Sequence, residues 1–444
     1  MYKLHITIFI AGLLMVGILA ALNINNAVSI LTIVTLFTYI TQMGLLVFFS
    51  GVKPVYYSDR VLFATTLIYT VLIGYFFMLI SLYYDDDTFM FSRIDAMFYY
   101  RESIKCQQIG FWDNALRIIR TIRDDDWGNL LFNNLFFSII PDKLFVNAIY
   151  FTTGAVSTVF LFRMGKEFLT EQYAFLSALA YGTSSYVIWY HCSFLKESLF
   201  VFFVVSAFYF QYCSIKKQSL LPLLGSCLFV FFAYFFRPAV AAFIVMSMFL
   251  YYAIVNRGNA ISFFLFLIII VMSVLSFTVM QENVDRYTSG GDIDNVINGT
   301  NNSSYSHGFN YFVSFFGAFF GPFPSLFFAQ DNPDNIGFYW PGILYRLFMV
   351  FPFWWGVYMV WKRKEMMMIP MLSFVLIEMF STGAVCASLE LRKVILHFPF
   401  MAIIAFYGLS NGYLSERFSR LRPFVSYAFV FGVLFLWTII RDKG

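Results

Sequence analysis

Charge is scarce in this chain of 444 residues: Asp, Glu, Lys and Arg make up 12% of it, about half the share of a soluble domain. So few charged side chains cannot cover a surface that meets water on every side, which excludes a water-soluble globule. Histidine occurs four times, and the five cysteines, Cys106, Cys192, Cys213, Cys227 and Cys386, form no C-x-x-C pair and have no histidine at ligand spacing. A zinc module and a dithiol redox motif are therefore unsupported. There is no glycine-rich phosphate loop to indicate a nucleotide substrate. A net charge of +4 is too small to suggest nucleic acid as a partner.

What the chain has in quantity is apolar bulk. Hydrophobic residues make up 60% and aromatic residues 22%, with 60 Phe and 29 Tyr. Mean hydropathy is +0.74. Phe suits side chains facing lipid tails, and Tyr suits the headgroup boundary. Apolar runs near the length of a bilayer-crossing helix fall at 4–22, 27–50, 61–83, 143–163, 173–190, 197–214, 219–236, 238–255, 260–280, 341–361, 366–386, 393–411 and 423–440. The first has Lys3 as its basic flank and no small-residue cleavage site, so it is expected to remain as a helix. The expected fold is all-α, a polytopic transmembrane domain of about 13 spans with short interfacial helices in two long loops.

Lys and Arg in the short connections set the sidedness. Lys53 and Arg60, Arg163 and Lys166, Lys216 and Lys217, Arg257, Lys362 to Lys364, and Arg417, Arg420 and Arg422 all fall on one side if the N-terminus is cytoplasmic. The condition is that the aromatic stretch Phe309 to Ala329, broken at Gly321-Pro322-Phe323-Pro324, does not cross. The outer side then carries two long connections, 84–130 and 281–340, which hold most of the acidic residues. Connections of that length are the first place to look for a site.

The first outer loop opens Tyr83-Tyr84-Asp85-Asp86-Asp87 and continues through Arg93, Asp95, Tyr99, Tyr100, Arg101 and Glu102. A carboxylate beside apolar surface is partly desolvated, which suits a general base or a cation ligand. A solvated stop at a helix end accounts for the same run equally well. Next, Arg117, Arg120 and Arg123 recur at helical spacing among Leu116, Ile118, Ile119 and Ile122. This pattern predicts an interfacial helix whose basic stripe meets anionic headgroups or a lipid-linked phosphate. Asp124 to Asp126 follow as an acidic cluster that can balance those arginines.

Ionisable residues at membrane depth are costly and tend to have a function. Here they are Lys196, Glu197, Arg237, Arg346, Glu390 and Arg392, each readable as a substrate contact, an anchor or half of an internal ion pair. Arg237 has no obvious local partner. His191 and His397 are expected to be packed or hydrogen-bonded. The polar stretch 289–304 includes two N-glycosylation triplets, at Asn298 and Asn301, and reads as a lid-like loop.

The order of these features resembles the GT-C superfamily of membrane glycosyltransferases, which use polyprenyl-phosphate sugars as donors. The resemblance rests on the acidic cluster after a span, D-x-x-x-Y at Asp95 to Tyr99, Asn147 and Gly154 in the next span, and Arg163 to Phe168. It continues through Ser193 to Leu199, Phe320 to Pro324, and Leu391-Arg392-Lys393 to Pro399. It covers 61–440, while 1–60 adds two N-terminal spans.

The resemblance implies transfer of a sugar, of mannose or aminoarabinose type, to a lipid-linked or cell-envelope glycan acceptor on the outer face of a bacterial cytoplasmic membrane. One of Asp85, Asp86, Asp87 and Asp95 would act as base, with Asp86 and Asp87 as candidate ligands of a divalent cation, Mg or Mn. Lys196, Glu197, Arg237, Arg346, Glu390 and Arg392 would serve the donor phosphate and substrate. A polysaccharide repeat-unit polymerase would use the same lipid phosphates and arginines. A lipid-linked glycan flippase predicts instead charges in mid-span and internal repeats, and no clear repeat is present.

Overall fold

The structure, a computed structural model, describes residues 2–22, 26–86, 88–89, 93–122, 126–255, 319–320, 336–385, 394–413, 428–429 and 432. Every regular element among them is helical, with no strand. Two N-terminal helices, α1 (Tyr2–Leu22) and α2 (Asn26–Gly51), precede α3 (Asp59–Asp85). Four short helices follow: α4 (Arg93–Ile104), α5 (Cys106–Ile109), α6 (Phe111–Thr121) and α7 (Trp127–Ile139). The chain returns to long apolar helices with α8 (Lys143–Gly165), then α9 (Glu171–Gly182), α10 (Ser185–Cys192), α11 (Glu197–Lys217), α12 (Leu220–Tyr234) and α13 (Pro238–Val255). The last are α14 (Ile336–Arg363), α15 (Ile369–Val385) and α16 (Phe398–Gly408).

Among the described residues five helices are long and apolar enough to cross a membrane, at Ile33–Gly51, Asp59–Tyr83, Lys143–Gly165, Glu197–Lys217 and Trp340–Arg363, and shorter apolar helices stand beside them. The arrangement is compatible with a multi-pass membrane protein. On α3, Ile68, Leu72 and Leu79 are more than half exposed, while Leu62, Ile73 and Phe77 on the other face are buried. A continuous apolar stripe turned outward suits contact with lipid. The apolar run 260–280 and nearly all of 423–440 lie outside the described residues.

Local chemistry explains where these helices begin and break. The Ser58 hydroxyl accepts from the Val61 N–H at the start of α3, and the Asp142 carboxylate accepts from the Leu144 N–H at the start of α8. The run 173–190 is two helices and not one. Thr183 donates its hydroxyl back to the Leu179 carbonyl, Ser184 is extended (φ −64°, ψ 123°), and the Ser185 hydroxyl accepts from the Gly342 N–H of α14. Hydroxyl side chains here compete with the helical ladder and interrupt it.

The two ends of the bundle differ. At one end Arg163 pairs with Asp59 at 2.8 Å, Lys216 with Glu167 at 2.7 Å, and Gln172 donates to the Ser50 carbonyl. Tyr251 of α13 reaches Met367, and Tyr407 of α16 donates to Glu365. These contacts gather Lys53, Arg60, Arg163, Lys166, Lys216, Lys217 and Lys362 to Lys364 at a single end; Arg257, Arg417, Arg420 and Arg422, which the sidedness reading groups with them, lie outside the described residues.

The opposite end is covered by α4 to α7. Lys143, opening α8, donates to the Thr88 hydroxyl at 2.8 Å, and the Gly128 N–H of α7 donates to the Phe235 carbonyl at the α12–α13 corner, also at 2.8 Å. A side chain at Gly128 would run into the Phe236 ring. α14 begins near this end, with Phe338 against Phe77 of α3, so it starts opposite to where α13 finishes. In the core α14 and α16 touch backbone to backbone, because Gly356 and Gly408 place no Cβ between them.

Candidate functional site

The capping helices come down onto the first turn of α11. The chain reaches it through Phe194, whose φ of 62° is left-handed and reverses the direction after α10. Lys196 and Glu197 are then presented at the boundary between cap and bundle, 9% and 1% exposed. Lys196 Nζ donates to Asp126 Oδ1 at 2.7 Å, and the Tyr99 hydroxyl of α4 donates to the same oxygen at 2.6 Å. Arg237, at the corner between α12 and α13, donates through Nη2 to Glu197 Oε1 at 3.2 Å and lies over the Phe200 ring. Five elements thus converge on two interleaved ion pairs. Glu197 opens α11, where the partial positive charge of the helix start favours a carboxylate.

A neutral layer lies against this charged one. The Tyr150 hydroxyl of α8 stands 2.8 Å from Asn133 Oδ1 and 3.2 Å from Asn129 Oδ1, and all three side chains are fully buried. Asn129 and Asn133 are one turn apart on α7, so both amides face the same side. The Glu197 charge is felt at Tyr99. Burial pushes the Tyr99 phenol far above its ordinary range, and the carboxylates of Asp126, Glu197 and Asp95 push it further. Tyr99 is therefore a neutral donor at any physiological pH.

Of the sequence candidates, Lys196, Glu197 and Arg237 come together here, and the Asp95 charge reaches Tyr99 from one turn earlier on α4. Arg237 has a partner after all, forty residues earlier in the chain. Asp86 does not join them: it is exposed and forms the left-handed C-cap of α3 (φ 52°). The side chain of Asp85, and Asp87, Glu390 and Arg392 entirely, lie outside the described residues. Among the described residues no three His, Cys, Asp or Glu side chains are grouped to hold a metal ion.

Arg346 belongs to a different set. Its Nη2 is 3.2 Å from His397 Nε2, and His397 Nδ1 is hydrogen-bonded to Glu378, making a triad across α14, α15 and the start of α16 that is at most 4% exposed. Arg117, read from sequence as part of a headgroup-binding stripe, is instead tied inward to Glu102 at 2.7 Å and to Asn114. Burial works against ionisation of Glu102, but hydrogen bonds from Lys105 and Arg117 outweigh it and hold the carboxyl below its ordinary value. His191 is buried and within 3.0 Å of the Ser198 hydroxyl, and its ring fills the space beside Gly154.

Sequence reasoning read Asp126 only as a balance for nearby arginines, and it missed Asn129, Asn133, Tyr150 and Glu378. Asp126 had a visible signal, a carboxylate directly before an aromatic helix start. The amides and Tyr150 had none, since their meeting depends on how α7 lies on α8.

The rim of the cluster is open to solvent. Side-chain exposure is 11% for Lys196, 21% for Asp126 and 23% for Arg237, while Glu197 beneath is closed off. An anion entering at this rim can exchange with Asp126 for Lys196, and a released carboxylate can accept a proton from a hydroxyl group. Compared with known proteins, the chain matches no protein-family model and no curated protein.

Proposed function

We propose that the protein is a membrane glycosyltransferase of GT-C type, with about thirteen spans, that moves a sugar from a polyprenyl-phosphate donor to a lipid-linked or cell-envelope glycan acceptor. In this reading the basic end faces the cytoplasm of a bacterial cell, and the cap lies on the outer face of its membrane. The observation that carries it is the pairing of two cations, Lys196 and Arg237, with carboxylates at the boundary between cap and bundle. A lipid-linked sugar needs its tail in the bilayer and its sugar in water, and this boundary serves both.

The chemistry follows from the charge layout. The acceptor oxygen forms a bond to the anomeric carbon while the bond from that carbon to the phosphate oxygen breaks. The electron pair leaves with the polyprenyl phosphate, where Lys196 and Arg237 neutralise it. The acceptor proton goes to a carboxylate, for which Asp126 in the cluster and Asp95, one turn from Tyr99 on α4, are the candidates. A divalent cation, if used, would add charge at the leaving phosphate.

The test is transfer of radiolabelled sugar from a panel of polyprenyl-phosphate donors by the purified protein in detergent. Lys196→Met and whichever of Asp95→Asn and Asp126→Asn removes the base are expected to lose roughly a hundredfold or more in turnover. Asp86→Asn is expected to keep wild-type turnover. A wild type that consumes no donor refutes the reading.

One observation favours a second reading, a lipid-linked glycan transporter. The Arg346–His397–Glu378 triad places ionisable groups deep among apolar helices, as a transport path would. Movement of lipid-linked oligosaccharide across reconstituted vesicles, lost in Glu378→Gln, would select that reading. An unchanged transferase in the same variant would assign the triad to packing.

A further inference from the structure

The ion pairs at the rim use only part of the polar chemistry beneath it. Among the described residues Glu197 Oε2, Asn129 Nδ2 and Asn133 Nδ2 are buried with no hydrogen-bond partner. Each side chain is committed at its other end, Glu197 Oε1 to Arg237 and the two amide oxygens to the Tyr150 hydroxyl. Their exposures are 1%, 0% and 0%. Buried polar groups are nearly always paired, so two open amides on one tyrosine and an open carboxylate oxygen in the adjoining ion-pair layer need something to complete them.

The pattern of these atoms limits what that is. Tyr150 has one hydroxyl hydrogen and faces two amides, so turning one amide round lets its NH2 donate to the phenol oxygen. In either orientation each amide keeps one atom open, and Glu197 adds an anionic acceptor. The set therefore mixes donors with acceptors. A phosphate, which only accepts, is repelled by Glu197, and an isoprenoid chain uses neither kind. A hydroxyl group both donates and accepts, and neighbouring hydroxyls on a sugar ring offer several such groups at short spacing.

The wall of this region is also unusual. Phe194 holds a left-handed conformation that bulky residues rarely adopt, and its ring meets Tyr150 at 6.1 Å and Phe137 at 5.8 Å. Strain of this kind persists where the surroundings over-determine it, and it clusters at ligand sites.

We infer that Asn129, Asn133 and Glu197 form a subsite for the hydroxyl groups of a sugar, with Tyr150 orienting both amides. The phosphate sits above it, at Lys196 and Arg237. This rests on the proposal that the substrate is a lipid-linked sugar, but not on that sugar being transferred.

Binding to the full-length protein in detergent tests it, with bare polyprenyl phosphate and a panel of polyprenyl-phosphate hexoses and pentoses as probes. At least one sugar-bearing lipid is expected to bind about tenfold more tightly than the bare phosphate, the gain of one to two net hydrogen bonds. Asn133→Leu and Tyr150→Phe are expected to reduce that advantage to less than about twofold while leaving bare-lipid binding unchanged. Bare-lipid binding also reports folding, and if Asn133→Leu loses it, Tyr150→Phe, which removes a single oxygen atom, carries the test.

An advantage that survives in Tyr150→Phe overturns the subsite. So does a wild type that binds no sugar-bearing lipid more tightly than bare phosphate, in which case buried water completes the three positions. Sugar-dependent binding without turnover on any acceptor refutes glycosyl transfer and leaves the subsite standing.

Discussion

Among the described residues Glu197 is the most deeply buried carboxylate, 1% exposed, and Arg237 is its ion partner. Replacing Arg237 by Met keeps much of the apolar stem over Phe200 and removes the charge. Stranding one member of a buried pair costs about 3–5 kcal/mol. The reverse change, Glu197→Gln, strands a guanidinium that is 23% exposed and can turn toward water. That change is expected to cost about 1–2 kcal/mol.

If the two effects were independent, the double variant would lose about 4–7 kcal/mol. In the double variant no charge is stranded, so its loss is expected to be only about 1–3 kcal/mol. The coupling is then about 3 kcal/mol. Unfolding in detergent micelles, followed by tryptophan emission for wild type, both single variants and the double, measures it. Losses that add to within about 0.5 kcal/mol would refute the claim that Arg237 neutralises Glu197.

Three further outcomes are expected. In Gly408→Ala the new methyl group meets the Pro352 carbonyl and the Gly356 backbone, which cannot step aside, and costs about 1–3 kcal/mol in micelle unfolding; Gly44→Ala, with open space around it, costs nothing. Glu102 ionises below its ordinary value of 4.5 in the folded protein, so the stability it adds is full above that pH and is lost as pH falls through the folded value. The gap in thermal stability between wild type and Glu102→Gln should therefore close in acid, and a gap independent of pH refutes the pairing with Lys105 and Arg117. On α6, Trp112, Leu116 and Ile119 are 75%, 49% and 42% exposed along one stripe, which suits contact with the acyl boundary. Brominated lipids should quench a component of the emission that disappears in Trp112→Phe, and equal quenching in both proteins places α6 away from lipid.

The helices were largely legible before the structure, because bilayer-length apolar runs leave little choice. The runs at 61–83, 143–163 and 238–255 reappear as α3, α8 and α13 with ends moved by two residues at most. The gathering of basic connections at one end was equally readable, since each is a short local signal. The break at Thr183-Ser184 was not, because it depends on a bond from Ser185 to a helix more than 150 residues later. At the site, three charged residues, Lys196, Glu197 and Arg237, could be named from their cost at membrane depth, but pairing could not. Arg237 with Glu197 and Lys196 with Asp126 are contacts over 40 and 70 residues, and no local spacing encodes them. Asn129, Asn133 and Tyr150 are ordinary neutral residues whose meaning arises only when α7 is laid on α8.

The bond from the Gly128 N–H to the Phe235 carbonyl has a mechanical consequence. It is made by backbone atoms two residues from Asp126 on one side and two residues from Arg237 on the other. With no side chain at Gly128 to hold Phe236 away, the cap is riveted to the bundle beside one member of each ion pair, Asp126 and Arg237. The spacing of Asp126 and Arg237 is therefore set by main-chain atoms and does not depend on the charges themselves.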